Sequence, residues 1–245
     1  MLSVVIPCYN EADNIPAVAD RFAQMITQAD TDVEVLFVNN GSTDHSAAVF
    51  EATLKQYAPY PFRVVHVTKN QGYGHGILQG LYESKGDILS WTHADMQTDP
   101  LDLITGLKLF KANQQPLLLV KGKRRNRRWL DEFFTKGMEV FASIILKTQL
   151  NDINAQPKIF SRHFFNQIQA QAPLDFSLDL YVLYHAKKVG EVLDFPVYFN
   201  KRLKGEAKGG GSLKTKYKLV KRTWAYIMSM SKSVSWSHWD VYRFL

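Results

Sequence analysis

The sequence predicts an α/β fold, a mostly parallel sheet covered by helices with a short helical appendage at its C-terminus. Three observations carry that prediction. Over the first hundred residues, short apolar runs alternate with longer segments whose apolar residues recur every three or four positions. The runs are continuous, which is the pattern of strands buried on both faces. The 245 residues suffice for one large sheet, and 46% hydrophobic beside 22% charged residues excludes a disordered or coiled-coil chain.

The first strand is Leu2 to Ile6, which Pro7 is expected to stop. Ile15 to Ala29 follows as a helix, with Val18, Phe22, Met25 and Ile26 on one face, Asp13 and Asn14 as caps and Pro16 in the first turn. Val33 to Val38 is a second apolar run, closed by Asn39, Asn40, Gly41 and Ser42. A helix over about 44–57 leads to a strand at Arg63 to Val67. Gly72, Gly74 and Gly76 predict a turn, followed by a helix to about Ser84 and a fourth strand at Asp87 to Thr92.

Beyond residue 115 the rhythm weakens. Strands are expected at Leu117 to Lys121, Pro157 to Ser161 and Val192 to Asn200, and helices at Leu130 to Leu146 and Asp179 to Val189. GEAKGGGS, residues 205–212, is a loop, and a division follows into a domain over 1–212 and a tail over 213–245. In the tail Leu213, Tyr217, Val220, Trp224 and Ile227 step by four and three, with Lys214, Lys218, Lys221 and Arg222 opposite. Such a helix either lies on an anionic membrane surface or packs onto the domain.

The net charge of +7 is concentrated. Lys121 to Arg128 contributes six basic residues and Lys201 to Arg222 nine against Glu206, together +14, so the remainder carries about −7. Charge localised in this way points to an anionic partner such as phosphate. Nucleic acid is disfavoured, because no zinc-finger spacing, RRM signature or helix-turn-helix pattern accompanies it. The apolar stretches Leu117 to Val120 and Val140 to Leu146 fall short of the roughly 20 residues that span a bilayer. The first residues do not read as a secretory signal, and one cysteine, Cys8, excludes a disulfide framework, so a cytoplasmic location is expected.

In open α/β sheets ligands bind at the carboxyl ends of strands. Three such ends are polar: Tyr9, Asn10 and Glu11; Asn39 to Ser42 with Asp44; and His93, Asp95, Gln97 and Asp99. On an extended chain His93, Asp95 and Gln97 would face one crevice. Asp95 and Gln97 offer oxygen ligands suited to Mg²⁺ or Mn²⁺, which take one or two protein groups and complete their shell with phosphate and water. Ordinary capping of the strand end is the other reading of this triplet. GYGHG lacks the spacing of a dinucleotide fingerprint, and GxxxxGK[ST], GxSxG and HExxH are absent.

VVIPCYNE with Asn14, NNGSTD, NQGYGHG, HADMQTDP, DINAQPKIF and RLKGEAK occur in the order found in family 2 glycosyltransferases. Over about residues 3–208 the chain resembles the polyprenyl-phosphate sugar synthase branch of that family. The resemblance implies a GT-A fold, a Rossmann-like nucleotide-binding sheet, and inverting transfer of a sugar from a nucleoside diphosphate. It implies nucleotide contacts from Pro7, Tyr9, Glu11, Asn39, Ser42, His93 and Ala94, and metal ligation by Asp95 and Gln97. Arg202 and Lys208 match the loop that closes over phosphates, with Arg202 also in a catalytic role, and Gln156 and Lys158 match the acceptor side. The basic run with Arg124 and Arg128 suits an acceptor phosphate at the membrane face.

Two departures stand out. The family usually has DDGS where this chain has Asn39, Asn40, Gly41 and Ser42, and DADLQ where it has His93 to Gln97. Asparagine donates as well as accepts, so an altered nucleotide preference is expected. A lipid phosphate acceptor needs no protein base, whereas a hydroxyl acceptor needs one, with Asp152 and Asp179 as candidates unless they cap or pair structurally. Open beside the lipid-phosphate synthase are a transferase acting on a glycan hydroxyl, an inactive nucleotide-sugar binder, and an RNA-associated basic domain. Peripheral membrane contact and homo-oligomerisation are open as well.

Overall fold

The computed structural model describes residues 1–113, 115–126, 129–200, 202 and 213–232, with the backbone alone for 129–131, 133–134 and 213–219. In chain order the elements are β1 (Leu2–Cys8), α1 (Ile15–Gln28), β2 (Val33–Asn40), α2 (Ser46–Gln56), β3 (Phe62–Val67), α3 (Tyr73–Glu83) and β4 (Ile88–Trp91). There follow α4 (Asp102–Asn113), β5 (Leu118–Arg125), α5 (Trp129–Leu146), β6 (Lys158–Ser161), α6 (Arg162–Ile168), α7 (Leu178–Val189), β7 (Glu191–Tyr198) and α8 (Leu213–Ser231). The strands form one sheet in the order β3-β2-β1-β4-β6-β5-β7. β6 runs antiparallel to both neighbours, and the other pairings are parallel. The expected mostly parallel α/β sheet is therefore present.

β1 is central and almost fully buried, with Leu2, Val4, Val5 and Ile6 at 0% exposure. Pro7 does not stop it: the ladder with β2 continues through Pro7↔Val38 and Cys8↔Asn39. The reason lies in the phase of the strand. Leu2 N–H donates to Asp32 on the β2 side, whereas Val5 C=O accepts from Thr92 N–H on the β4 side. Pro7 shares the phase of Val5 and faces the β4 side, where pairing ends at Trp91. The missing proline N–H removes no ladder bond.

Two further expectations are corrected. Gly74 and Gly76 lie inside α3, which begins at Tyr73; of the three glycines only Gly72 precedes it, at φ +134°. The glycines of this helix serve close packing. A Cβ on Gly80 would lie 2.4 Å from Val5 Cγ1 and 2.8 Å from Val38 Cγ2, and one on Gly76 would meet Asn40 Nδ2 at 2.7 Å. Asn14 does not cap α1 through its side chain, which donates to Glu11 instead. α4 and α6 were not anticipated. α4 carries Gly106 amid its buried Leu103, Leu107 and Phe110, and α6 is only seven residues long, started by the Ser161 Oγ that accepts from Phe164 N–H at 2.9 Å.

Contacts group the chain into two compact units, residues 1–126 with 154–205, and residues 127–153 with 206–245. Where the sequence suggested one boundary near residue 212, these contacts join residues 127–153 to the C-terminal segment. The first unit holds the whole sheet. The second contains α5 packed against α8, with the Phe141 and Trp224 rings stacked at 3.9 Å between centroids. Among the described residues no helix is long and apolar enough to cross a membrane.

Because the Cβ of an alanine at position 80 has nowhere to go but into Val5 and Val38, Gly80→Ala should lower stability by about 1–3 kcal/mol. A urea titration would read this as an earlier midpoint; an unchanged or later midpoint would mean that α3 can lift off the sheet at no cost.

Candidate active site

The chain leaves β1 toward β2 and β3 on one side and returns to β4 on the other, so the switch point of the sheet lies between β1 and β4. Loops that diverge there leave a crevice at the carboxyl ends of the strands. The loops after β1 and β2 are laced together around Asn10, which sits in the left-handed region at φ +54°. Its Oδ1 accepts from Thr43 N–H at 2.7 Å, and its own N–H donates to Ser42 Oγ at 3.0 Å. Asp44 accepts from Ala12 N–H at 3.4 Å and Ser46 N–H at 3.0 Å. Pro7, near the end of β1, and Tyr9, just beyond it, are half-buried, and the lacing holds Ser42.

Asn39, at the end of β2, is buried, and its Oδ1 accepts from Ser42 N–H at 3.2 Å. A backbone N–H can only donate, so this contact fixes the amide: the oxygen faces Ser42 and the NH₂ faces away. Asn40 is used differently, its Nδ2 donating to Gly72 C=O at 2.9 Å and tying β2 to the start of α3.

The row His93, Asp95 and Gln97 does not project by strand alternation, because β4 ends at Trp91 and Met96 turns the chain at φ +58°. Asp95 Oδ1 accepts from Gln97 N–H at 3.1 Å within this turn. Asp95 and Gln97 nevertheless meet the same segment beyond β7. Arg202 Nη2 lies 2.9 Å from Asp95 Oδ2 and Arg202 Nη1 lies 3.3 Å from Glu11 Oε1. Gln97 and Asn200 exchange bonds, Asn200 N–H to Gln97 C=O at 2.8 Å and Gln97 Nε2 to Asn200 C=O at 3.3 Å. Glu11 is further held by Asn14 Nδ2 at 2.5 Å. His93 turns elsewhere, its ring 5.7 Å from that of Tyr73, which stacks on Phe176 at 4.8 Å. Ala94, between His93 and Asp95 in the chain, is buried. Asp99 is taken by Arg21 of α1 in a two-pronged contact at 2.8 and 2.6 Å.

Beside this crevice lies a buried polar cluster. Lys158, wholly buried at the start of β6, pairs with Asp179 at the start of α7 and donates to Ala155 C=O at 3.0 Å. Its Nζ also sits 5.6 Å from the centre of the Trp91 ring. Gln156 Nε2 donates to Asp179 Oδ1 at 2.8 Å and approaches Tyr73 OH at 3.4 Å, while Gln156 Oε1 is buried with no hydrogen-bond partner among the described residues. Burial, reinforced by the charge of Asp179, pushes the Tyr73 hydroxyl well above the usual tyrosine range. Arg124, near the end of β5, lies 5.4 Å from the Phe199 ring centre.

Asp152 falls in the other unit, between α5 and β6, at φ +46°. Arg128, Lys208 and most of the RLKGEAK segment lie outside the described residues, as do the side chains of Lys214 and Lys218. Tyr73, Phe176 and Asn200 were missed. Asn200 acts through its backbone, which leaves no residue-type signal, and Tyr73 was read as part of a glycine turn.

The crevice suits a divalent cation. Glu11 and Asp95 share one guanidinium, so these three side chains keep a net negative charge, and Gln97 Nε2 binding Asn200 turns its Oε1 away from that carbonyl. Among the described residues no group of three or more His, Cys, Asp or Glu could hold a metal, so a cation here would draw most ligands from phosphate and water.

A doubly covered, mostly parallel α/β sheet with acidic and amide groups gathered at its switch point is the class of protein these features define. The model of glycosyl transferase family 2 matches residues 3–175, and the chain belongs to that family. Undecaprenyl-phosphate 4-deoxy-4-formamido-L-arabinose transferases are similar to it. That of Proteus mirabilis is 24% identical over 167 residues, and that of Sodalis glossinidius 29% over 171, each match covering 67% of this chain and 50% of the relative. The chain thus spans about half the length of these curated relatives. Glucosyl-3-phosphoglycerate synthase from Mycobacterium tuberculosis in complex with UDP superposes with a TM-score of 0.70 at 19% identity, covering 97% of this chain and 82% of that one. A mannosyltransferase from Pyrobaculum calidifontis in complex with GDP-Man and Mn²⁺ gives 0.65 at 18%, covering 96% and 65%. The expected GT-A fold is borne out by these likenesses.

Removing the amine of Lys158 leaves the Asp179 carboxylate buried and unpaired, so Lys158→Ala should cost about 3–5 kcal/mol. The double replacement Lys158→Met with Asp179→Leu should recover most of that loss in a urea titration. A single variant that unfolds normally would show that the pair does not hold β6 to α7.

Proposed function

We propose that the chain is an inverting glycosyltransferase that moves a sugar from a nucleoside-diphosphate donor to a polyprenyl phosphate. The observation that carries this reading is the bridge made by Arg202 between Glu11 and Asp95, across the carboxyl ends of β1 and β4. It gathers both signs of charge where a sugar diphosphate with its cation needs them. Asp95 and Gln97 would hold Mg²⁺ or Mn²⁺, which when bound neutralises charge on the departing diphosphate. A diphosphate offers Arg202 a stronger anion than the carboxylates it now shares, so the guanidinium can follow the charge that develops on the leaving oxygen.

In the reaction an oxygen of the acceptor phosphate attacks the anomeric carbon from the face opposite the diphosphate. The new carbon–oxygen bond forms as the bond to the leaving phosphate breaks, and the electron pair departs with the nucleoside diphosphate. No proton has to move, since a phosphate monoester is ionised near neutral pH. The fate of the nearby carboxylates supports such an acceptor: Asp95 is engaged by Arg202, and Asp179 by Lys158 and Gln156. Gln156 and Lys158 then act on the acceptor side by shaping the wall, and Arg124 by charging it. The names of the similar undecaprenyl-phosphate transferases point the same way.

The fixed amide of Asn39 bears on the nucleotide. With its oxygen taken by Ser42, this residue presents a donor, which suits a base with an acceptor such as cytosine N3. Pro7, Tyr9, Ser42 and Ala94 complete the proposed wall around the nucleoside, and His93, turned toward Tyr73, is not part of it.

Incubation of a labelled donor with a polyprenyl phosphate in detergent should give labelled lipid, and Asp95→Ala should lower the rate by about a hundredfold or more. Lipid labelling that persists in that variant would remove Asp95 from the reaction. In calorimetric titrations with CDP, UDP, GDP and dTDP, Asn39→Asp should shift preference away from CDP and toward UDP by about tenfold. Equal, negligible binding of all four by the unaltered protein would overturn the donor site.

A further inference from the structure

The helical unit carries an apolar face that the reaction does not use. On α8, Val220, Trp224 and Met228 recur every fourth residue, one above the other, at 47%, 48% and 42% exposure. On α5, Val140 and Ile144 are also four apart, at 59% and 50%. Phe141, the neighbour of Val140 on α5, stacks on Trp224, so the two stripes adjoin. Five large, half-exposed apolar side chains on two neighbouring helices form a patch of the kind that marks an interaction surface. Ile227, at the border of the same stripe, is buried, so α8 packs along one edge of this face and leaves Val220, Trp224 and Met228 half-exposed.

What covers the patch is indicated by charge. α8 carries Lys214, Lys216, Lys218, Lys221 and Arg222 and no acidic residue, and no Asp or Glu occurs from residue 207 to residue 239. Lys221 and Arg222 are exposed and follow Val220 directly, and exposed Lys232 lies one turn past Met228. A protein partner would set acids among these bases only if it were strongly acidic, whereas an anionic bilayer offers hydrocarbon and negative head groups together. We infer that α5 and α8 form an interfacial docking surface, which enters the head-group layer of an anionic membrane through Val140, Ile144, Val220, Trp224 and Met228 while Lys221, Arg222 and Lys232 meet lipid phosphates. This inference stands on the helical unit and does not require the acceptor assigned above, although a lipid acceptor gives it a purpose.

The test is flotation of the full chain with vesicles of phosphatidylcholine alone or mixed with phosphatidylglycerol. The unaltered protein should float with the anionic vesicles, and binding should fall at least about tenfold on neutral vesicles or in high salt. Val220→Gln with Met228→Gln, which keeps good helix formers and leaves the Phe141–Trp224 stack intact, should weaken anionic binding by about tenfold. Lys221→Glu with Arg222→Glu should do the same. Unimpaired flotation of either double variant, or equal binding to neutral and anionic vesicles, would overturn the proposal. So would absence of flotation with a concentration-dependent dimer that the glutamine variant disperses, which would assign the face to a second copy. Transfer to polyprenyl phosphate in detergent micelles separates the two readings: its loss with flotation retained refutes the reaction, and the reverse refutes only the surface.

Discussion

The parallel pairing of β1 with both β2 and β4 is the constraint on which the rest of the sheet unit depends. A strand with partners on both sides has no exposed edge, and its side chains meet helices on both faces, so β1 has to be apolar throughout. Because the chain reaches those two partners by moving in opposite directions, the loops that leave β1 and β4 diverge. The crevice between them follows from topology before any catalytic residue is considered. Pro7 is compatible with this position only because β4 is short, and the glycines of α3 bring that helix close enough to β1 and β2 to seal one face.

Charge then organises the crevice. Glu11 comes from the end of β1, Asp95 from the turn after β4, and Arg202 from the segment after β7, and no two of them are close in sequence. Each would be costly to bury alone; together they satisfy one another while keeping a surplus of negative charge. Behind them Lys158 and Asp179 form a second, fully buried pair, braced by Gln156 and the Trp91 ring. The contrast is physical: the rim pair is open to exchange with an incoming anion, whereas the buried pair has no solvent to replace either partner. The first arrangement suits binding and the second suits rigidity.

The helical unit follows a different logic. Among the described side chains, Val140 and Ile144 of α5 and Val220, Trp224 and Met228 of α8 stay half-exposed, and α8 itself carries bases and no acid. In an isolated soluble helix pair that combination would be a liability, and it is accounted for by a surface with complementary chemistry.

Periodicity alone determined the strands and helices of residues 1–92, because both faces of a central strand and one face of each helix have to be apolar wherever they pack. The ordered motifs pointed to the family by their resemblance to it, since they fall at the strand ends where ligands bind in such sheets. Local pattern could not determine what depends on partners distant in the chain. Gly74 and Gly76 read as a turn until the backbone of residues 173–175 and the Asn40 side chain of β2 lie against them, and α4 is disguised by Gly106. His93 shares a spacing with Asp95 and Gln97, yet the turn at Met96 and the ring of Tyr73 send it elsewhere. The orientation of the Asn39 amide is settled by a single backbone N–H of Ser42, and the partnership of Asp179 by Lys158, twenty-one residues earlier. Hydrophobic patterning is a property of neighbours along the chain, and so the sequence displays it; hydrogen-bond direction and charge pairing belong to neighbours in space, which only the folded chain brings together.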